Sequence, residues 1–587
     1  MSMNTRKISP RSFLRTALFC CLAVACGGGE EVEEPAETAS SFVLPTMIDI
    51  AAPTEPVSHL ETVEDLTEEV ADWLLDLSDE VRRRDFSAAG AWLREDFAGH
   101  SLADLPVGEE TALELSAVRS KYDLSAPDVV GSDGFLGSIE EHIGAWASVE
   151  SVIWKTKGAE FQSGRDRWGK IKVWMRYIGT RSDGGRVSLT GWAYLRVRKE
   201  RANWGVDRFE LTSLSRDERD GPVFTNVATA VGVAHQGPQF GSPENASYAW
   251  NGSAAADVDG DGLWDVFHPS DGRNFLYLAN ESGTFTEEAE ERGLIGPDKG
   301  TGAVFFDFDN DGDQDLFVAH EGWTAADGSV MGETSKLYLN DGAGSFEMVT
   351  EDIGLGVPLV GYSVTAFDYD LDGWLDVFVC GYGRVESEHN NSWVDATNGE
   401  PNGLFRNIKG ERFEEVAAAA GVRGTSWSYS SAVADYDLDG DLDLYVANDY
   451  GLNRFYRNEG DGSFKDVAEE LGLLDRGNGM GVSWGDLNND GLLDVYVANM
   501  SSTAGNRILD RLKDEVDEEV FEQLKKTAAG NTIFVRSGDG FEALPMEAGG
   551  VNASWAWTPI LCDFDLDGRK DIFVTNGFVT GELAHDT

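Results

Sequence analysis

Between Asp257 and Asp571 the chain repeats one nine-residue pattern, D-x-[DN]-x-D-G-x-x-D, six times. The copies read DVDGDGLWD, DFDNDGDQD, DYDLDGWLD, DYDLDGDLD, DLNNDGLLD and DFDLDGRKD. In such a turn the side chains of positions 1, 3 and 5 converge on one point. Gly at position 6 permits the bend, the carbonyl of position 7 turns inward, and the Asp at position 9 can chelate with both oxygens. Calcium takes six to eight oxygens at roughly 2.3–2.6 Å, which this set can supply. The expected ligands in the first two loops are Asp257, Asp259, Asp261, Leu263 and Asp265, then Asp307, Asp309, Asp311, Asp313 and Asp315. The third and fourth loops offer Asp368, Asp370, Asp372, Trp374 and Asp376, then Asp435, Asp437, Asp439, Asp441 and Asp443. The last two offer Asp486, Asn488, Asp490, Leu492 and Asp494, then Asp563, Asp565, Asp567, Arg569 and Asp571. About six calcium ions are expected, with the fifth loop weakest because Asn488 removes a charge.

An EF-hand would need an acid at position 12 and helices on both sides. Position 12 is His268 in the first copy and Val318, Val379, Val446, Val497 and Val574 in the others. The flanks, SAAAD and DVFH or AVADYD and DLYVAND, are short, apolar and strand-like. The loops therefore join strands.

Loop starts are 50, 61, 67, 51 and 77 residues apart. After the first five loops comes a second shared segment: NFLYLANESGTF, KLYLNDGAGSF, GLFRNIKGERF, RFYRNEGDGSF and TIFVRSGDGF. Each reads as a hairpin around a Gly/Asp/Asn turn. In four units the sequence then runs to Gly plus an aliphatic, at Gly293-Leu294, Gly354-Leu355, Gly421-Val422 and Gly472-Leu473. Four short antiparallel strands per unit at this period predict a β-propeller of six or seven blades. Pro222–Val233 reads as the tail of a unit without its head, suited to completing the last blade.

This half resembles FG-GAP/VCBS-repeat β-propellers, specifically bacterial relatives of the cartilage acidic protein family. The resemblance implies calcium at the loop residues and a binding or scaffold role more often than catalysis. Many relatives carry a C-terminal ASPIC/UnbV domain, for which no segment is seen.

Residues 1–25 read as a lipoprotein signal peptide. Arg6, Lys7, Arg11 and Arg15 precede the apolar TALFCCLAVA, too short to span a bilayer. Ala23-Val24-Ala25-Cys26 resembles a lipobox, with Cys26 as the lipid-bearing residue and ordinary secretion as the alternative. Residues 26–56 read as a flexible acidic linker. The net charge of −57 becomes more negative once the basic leader is removed. With no phosphate-binding stretch or basic helix, nucleic acid is not an expected partner, and the membrane is expected only through the anchor. Cys380 and Cys562 lie on strands of different units and are expected as buried small hydrophobes, without a disulfide.

A small α+β domain is expected over 57–216, ahead of a propeller over 217–587. Val63, Leu66, Val70, Leu74, Leu77 and Val81 predict an amphipathic helix, and Phe86–Phe97 a second. Strands follow from Lys170, Arg186 and Trp204. The order resembles NTF2-like domains, whose cone can hold a small ligand or dimerise.

Gly481-Val-Ser-Trp-Gly485 matches a nucleophile elbow but sits where other units place an inner strand, so Ser483 is read as structural. His268 and His320 are read as packing residues. Ile508–Lys526 is expected to be a helix inserted in the fifth unit. The functional expectation is a monomeric, lipid-anchored, extracytoplasmic calcium propeller binding a protein or polysaccharide in an adhesion or scaffold role. The alternative is an envelope-associated hydrolase or lyase acting on polysaccharide or lipid.

Overall fold

The computed structural model describes residues 44–576, apart from 114–115, 165–167, 201–202, 236–251, 271–272, 295–299, 325–329, 350–352, 385–388, 393–394, 502–504, 506–507, 510–512, 514–515 and 546–554. Cys26 lies outside the described residues. No helix among those described is long and apolar enough to cross a membrane.

The predicted amphipathic helix spans Leu60–Arg82 and buries Val63, Val70, Leu74, Leu77 and Val81. It packs on the strand Trp146–Phe161, where the Ser78 hydroxyl accepts a hydrogen bond from the Trp154 backbone N–H at 3.0 Å. The sheet beneath it runs in the order Val107–Ala112, Val118–Tyr122, Asn203–Arg219, Arg186–Glu200, Trp168–Arg181, Trp146–Phe161. The expected second helix is only Phe86–Gly90, with Asp85 capping the Ala88 N–H. Leu93–His100 is instead a strand, parallel to Asn203–Arg219. Burial of Phe97 and Ala98 against that neighbour outweighs the local helical pattern. A helix at Ser132–Ile143, burying Phe135, Ile139 and Ile143, was not anticipated from the sequence. Phe97, Phe135, Trp154, Phe161, Tyr177 and Phe209 are all fully buried and fill the interior where a cone could have held a ligand.

Among the described residues the second half holds one antiparallel sheet per acidic loop, six blades in all, and a separate two-stranded sheet of Gly322–Thr324 and Val330–Gly332. Five have four strands in meander order. The first comprises Ala254–Ala256, Asp265–His268, Phe275–Ala279 and Phe285–Glu287, and the second Gly300–Phe306, Asp315–His320, Lys336–Asn340 and Phe346–Met348. The third comprises Gly361–Phe367, Asp376–Gly381, Gly403–Asn407 and Phe413–Glu415, and the fourth Ser428–Ala434, Asp443–Asn448, Arg454–Asn458 and Phe464–Asp466. The fifth comprises Gly479–Gly485, Asp494–Asn499, Thr532–Ser537 and Gly540–Ala543, while Ala556–Cys562 and Asp571–Asn576 form the sixth.

Inner strands of successive blades lie side by side. Apolar seams weld the blades face to face: Phe306, Phe317 and Leu337 pack with Val377, Phe405 and Phe413. Each fully buried Phe or Leu contributes about 1.5–3 kcal/mol. The repeated Gly after each outer strand now has a reason. At Gly293 φ is 86°, and an added Cβ would lie 2.2 Å from the Phe346 carbonyl of the next blade. Gly232 meets the Phe285 carbonyl of the first blade in the same way. The orphan segment therefore bridges the two ends of the array: Phe224, eight residues earlier, packs on Phe564 and Phe573 of the sixth blade, with ring centroids 5.9 and 6.1 Å apart.

Cys380 is buried, but Cys562 is exposed, contrary to the expectation of two buried thiols. No disulfide joins them. Glu518–Lys526 is the part of the expected inserted helix that forms a continuous helix among the described residues.

Candidate functional site

Each acidic loop is wired identically. The position-1 carboxylate accepts backbone N–H groups from positions 5 and 6; Asp368 takes them from Asp372 at 3.1 Å and Gly373 at 2.8 Å. The position-5 carboxylate accepts from position 7, as Asp261 does from Leu263 at 2.8 Å. Position 6 is a left-handed Gly in every copy, and position 4 is left-handed too: Asn310, Leu371, Leu438, Asn489 and Leu566 have φ of 57–63°. That second strained position is invisible in the motif itself.

The position-9 aspartate does more than face a cation. Asp443 is fully buried; its Oδ2 accepts from Tyr436 N at 3.2 Å and its Oδ1 from Asn458 N at 2.9 Å. Asp265, Asp315, Asp376 and Asp494 make the same pair of bonds, from the loop start and from the third strand. One lone pair of each oxygen is thus committed to the backbone, which leaves one apiece for an ion rather than a free chelating carboxylate. Asp571 accepts from Phe564 N.

In five loops carboxylate oxygens of three residues lie within 4.8 Å of one another: Asp257, Asp259 and Asp265; Asp307, Asp309 and Asp311; Asp368, Asp370 and Asp376; Asp435, Asp437 and Asp443; Asp563, Asp565 and Asp571. The fifth loop, with neutral Asn488, does not form such a group among the described residues. Asp259, Asp313, Asp370 and Asp441 each hold a buried Oδ1 with no hydrogen-bond partner. Without a cation, burial and then neighbouring carboxylates push Asp313 and Asp441 up to about 6. Burial likewise lifts Asp315, Asp376 and Asp443 to about 7, against their backbone hydrogen bonds. Orphaned oxygens, clustered like charges and an all-oxygen donor set fit a hard divalent cation. In loops two and four the position-7 side chains, Asp313 and Asp441, join the charge cluster, beyond the carbonyl role the spacing suggests. In loop three Arg406 reaches Asp370 at 2.6 Å and Asp372 at 3.2 Å, partly neutralising it.

An Asn closing the third strand was missed as a functional residue. Asn407 donates through Nδ2 to the Phe308 carbonyl of the preceding blade's loop at 2.8 Å and to Leu375 O at 3.1 Å. Asn340 and Asn458 clamp Val258 O and Tyr369 O in the same way. The LYxN pattern is therefore a blade-to-blade rivet.

The meander places the acidic loops, which join strands one and two, on one face, and the connections from strand two to strand three on the other. Three long insertions are of the second kind, running from His320 to Lys336, Gly381 to Gly403 and Asn499 to Thr532. Beneath that face Tyr362, Tyr382 and Trp427 are buried and form a continuous aromatic cluster with the partly buried Tyr429 and Tyr450, with Tyr362–Tyr382 centroids 4.4 Å apart and Trp427–Tyr450 5.6 Å. Tyr429 reaches Trp557 of the sixth blade at 5.7 Å. Buried Asp449 accepts a 2.6 Å hydrogen bond from the Tyr382 hydroxyl, and burial pushes its carboxyl up to about 7.

Ser483 is an inner-strand residue paired with Tyr496. Its flanking Gly481 is required by packing, since a Cβ there would lie 2.1 Å from the Trp557 carbonyl. His320 is buried with Nδ1 3.0 Å from Val318 O, and His268 Nδ1 is 3.0 Å from Gly252 O.

A family model described as FG-GAP-like repeat matches residues 257–318, 324–379 and 435–497. These three regions are FG-GAP-like repeats. Cartilage acidic protein 1 of Homo sapiens is 26% identical over 300 residues, 48% of this chain and 43% of the human protein. The Xenopus tropicalis protein of the same name is 26% identical over 300 residues, 48% of this chain and 44% of its own. The chain thus spans less than half the length of these curated relatives. Among solved structures, an Agrocybe aegerita lectin studied for recognition of non-reducing terminal N-acetylglucosamine aligns with a TM-score of 0.30 and 16% identity, over 68% of this chain and 86% of the lectin. A putative scytalone dehydratase from Novosphingobium aromaticivorans aligns with a TM-score of 0.20 and 14% identity, over 28% of this chain and 99% of that one.

Proposed function

We infer that this chain is a calcium-held propeller that binds a protein or polysaccharide on the face opposite its acidic loops, in an adhesion or scaffold role. The observation that carries the reading is the division of labour between the faces. One repeats the same carboxylate geometry blade after blade, while the other carries three long insertions over a buried aromatic cluster. Variable loops on a rigid frame are where recognition sits. The N-terminal segment adds an extracytoplasmic address and a lipid anchor at Cys26 to this proposal. Glycan and protein arrays probed with and without calcium test it: binding that disappears in chelator and in Tyr429→Ala supports the reading, whereas binding that survives both removes the propeller face as the site. A Cys26→Ser variant should leave the membrane fraction.

Asp449 gives a hydrolase or lyase its one specific support, since a carboxyl titrating near neutrality beside Tyr382 is what acid–base catalysis uses. Turnover of a polysaccharide or lipid substrate that is lost in Asp449→Asn would favour that second reading.

A further inference from the structure

The first domain carries a surface that the overall charge conceals. From Ser151 to Arg208 the sequence holds fourteen Lys and Arg against five Asp and Glu, in a chain of net charge −57. Within this span Trp146–Phe161, Trp168–Arg181 and Arg186–Glu200 are adjacent long strands beside the start of Asn203–Arg219, and alternate side chains on each point in opposite directions. Ile171, Val173, Met175, Tyr177, Leu189 and Leu195 are buried on the inner side. Lys170, Lys172, Trp174, Trp192 and Tyr194 therefore share the outer side, where Tyr194 packs under Ile48 and Ile50 and leaves Trp174 and Trp192 as the rings of the open part.

The register assembles them into rows. Lys155 pairs with Trp174, Trp174 with Trp192, and Lys172 with Tyr194. Lys172 Nζ sits 4.9 Å from the Trp192 ring centroid and Lys170 Nζ 4.4 Å from that of Tyr194. Among the described residues none of Lys155, Lys170 and Lys172 forms an ion pair. At one end of the face Arg196 and Arg198 share buried Asp207, at 2.7 Å each, and Arg198 also pairs with Asp96. Glu160 stands opposite Lys170 and Glu210 opposite Tyr194, so the positive excess of this face lies at Lys155, Lys172 and Arg176, around Trp174 and Trp192.

We propose that this face docks an acidic polysaccharide, a chain of uronate or sulfated sugars. Strands about 4.8 Å apart set the rings and ammonium groups side by side, offering flat apolar surface for sugar rings and point charges for their acids. A nucleic-acid duplex, with one charge per about 1.7 Å, would extend beyond this small face onto strongly acidic protein. The proposal is independent of the propeller's ligand.

The full-length, calcium-loaded protein is titrated calorimetrically with polygalacturonate and heparin, at low salt and at about 0.15 M. Binding to at least one is expected, weakened by salt and at least about tenfold weaker in Lys170→Glu/Lys172→Glu. Trp192→Ala should also weaken binding but keep the salt dependence, and the milder Lys170→Gln/Lys172→Gln pair, with unchanged melting temperature, guards against misfolding. Removing calcium should leave this binding intact, which separates it from the propeller face. The proposal is overturned if neither polysaccharide binds, if the lysine variants bind as well as the parent, or if single-stranded DNA or phosphatidylglycerol vesicles bind more tightly than both.

Discussion

Removing calcium is the perturbation with the largest expected effect. Sites of extracellular type have dissociation constants of about 10⁻⁴–10⁻³ M, so millimolar calcium stabilises the folded state by up to about 1.4 kcal/mol per site. Six sites give about 8 kcal/mol, comparable with the whole stability of a domain. For a repeat region of about 350 residues the unfolding entropy is about 0.7 kcal/mol per kelvin, so chelation should lower the melting temperature by about 10 °C. The pH dependence gives a sharper signature. In the metal-free protein Asp313 and Asp441 are pushed up to about 6, and Asp315, Asp376 and Asp443 to about 7. A carboxyl raised in this way favours the folded state most at acidic pH, and that contribution is lost as pH rises through the folded value. The metal-free melting temperature should therefore fall between about pH 5 and pH 8. A bound cation favours the ionised form, so calcium should flatten or reverse the slope. Differential scanning calorimetry in calcium and in chelator across that range measures both effects. Equal melting temperatures in the two conditions at pH 8 would refute the structural role of the loops.

Three further outcomes are expected. Asn407→Ala should destabilise the propeller by about 2–4 kcal/mol in chemical denaturation, because the buried Phe308 and Leu375 carbonyls lose their donor. Gly293→Ala should cost at least about 2 kcal/mol by the same assay, combining left-handed strain with a backbone clash at Phe346. Native maleimide labelling should modify Cys562 rapidly and Cys380 only on unfolding, since one thiol is exposed and the other buried.

What was legible in the sequence was what is local. Nine residues contain the whole acidic turn, so its spacing and its glycine announce it, and the hairpin that follows completes a blade within one period. The partners that make the position-9 aspartate a strut are not local: Asp494 takes one of its hydrogen bonds from Arg536 N, on a strand beyond a long insertion. Asn407 rivets a carbonyl in the preceding blade, a relation that no window of one repeat can contain. The first domain failed at Phe86–Phe97 for a related reason, as strand pairing with Val206–Phe209 overrode a short helical pattern. The cationic face failed differently. Its alternation, Lys170, Lys172, Trp174, Arg176, stands in plain view, but a net charge of −57 describes the sum and not the surface. Charge becomes informative about partners only after strand register has sorted the side chains onto faces. A search restricted to basic helices and phosphate loops passes over a β-sheet that interleaves its lysines with buried valine, isoleucine and methionine, and for that reason an acidic chain can still present a polyanion with one place to bind.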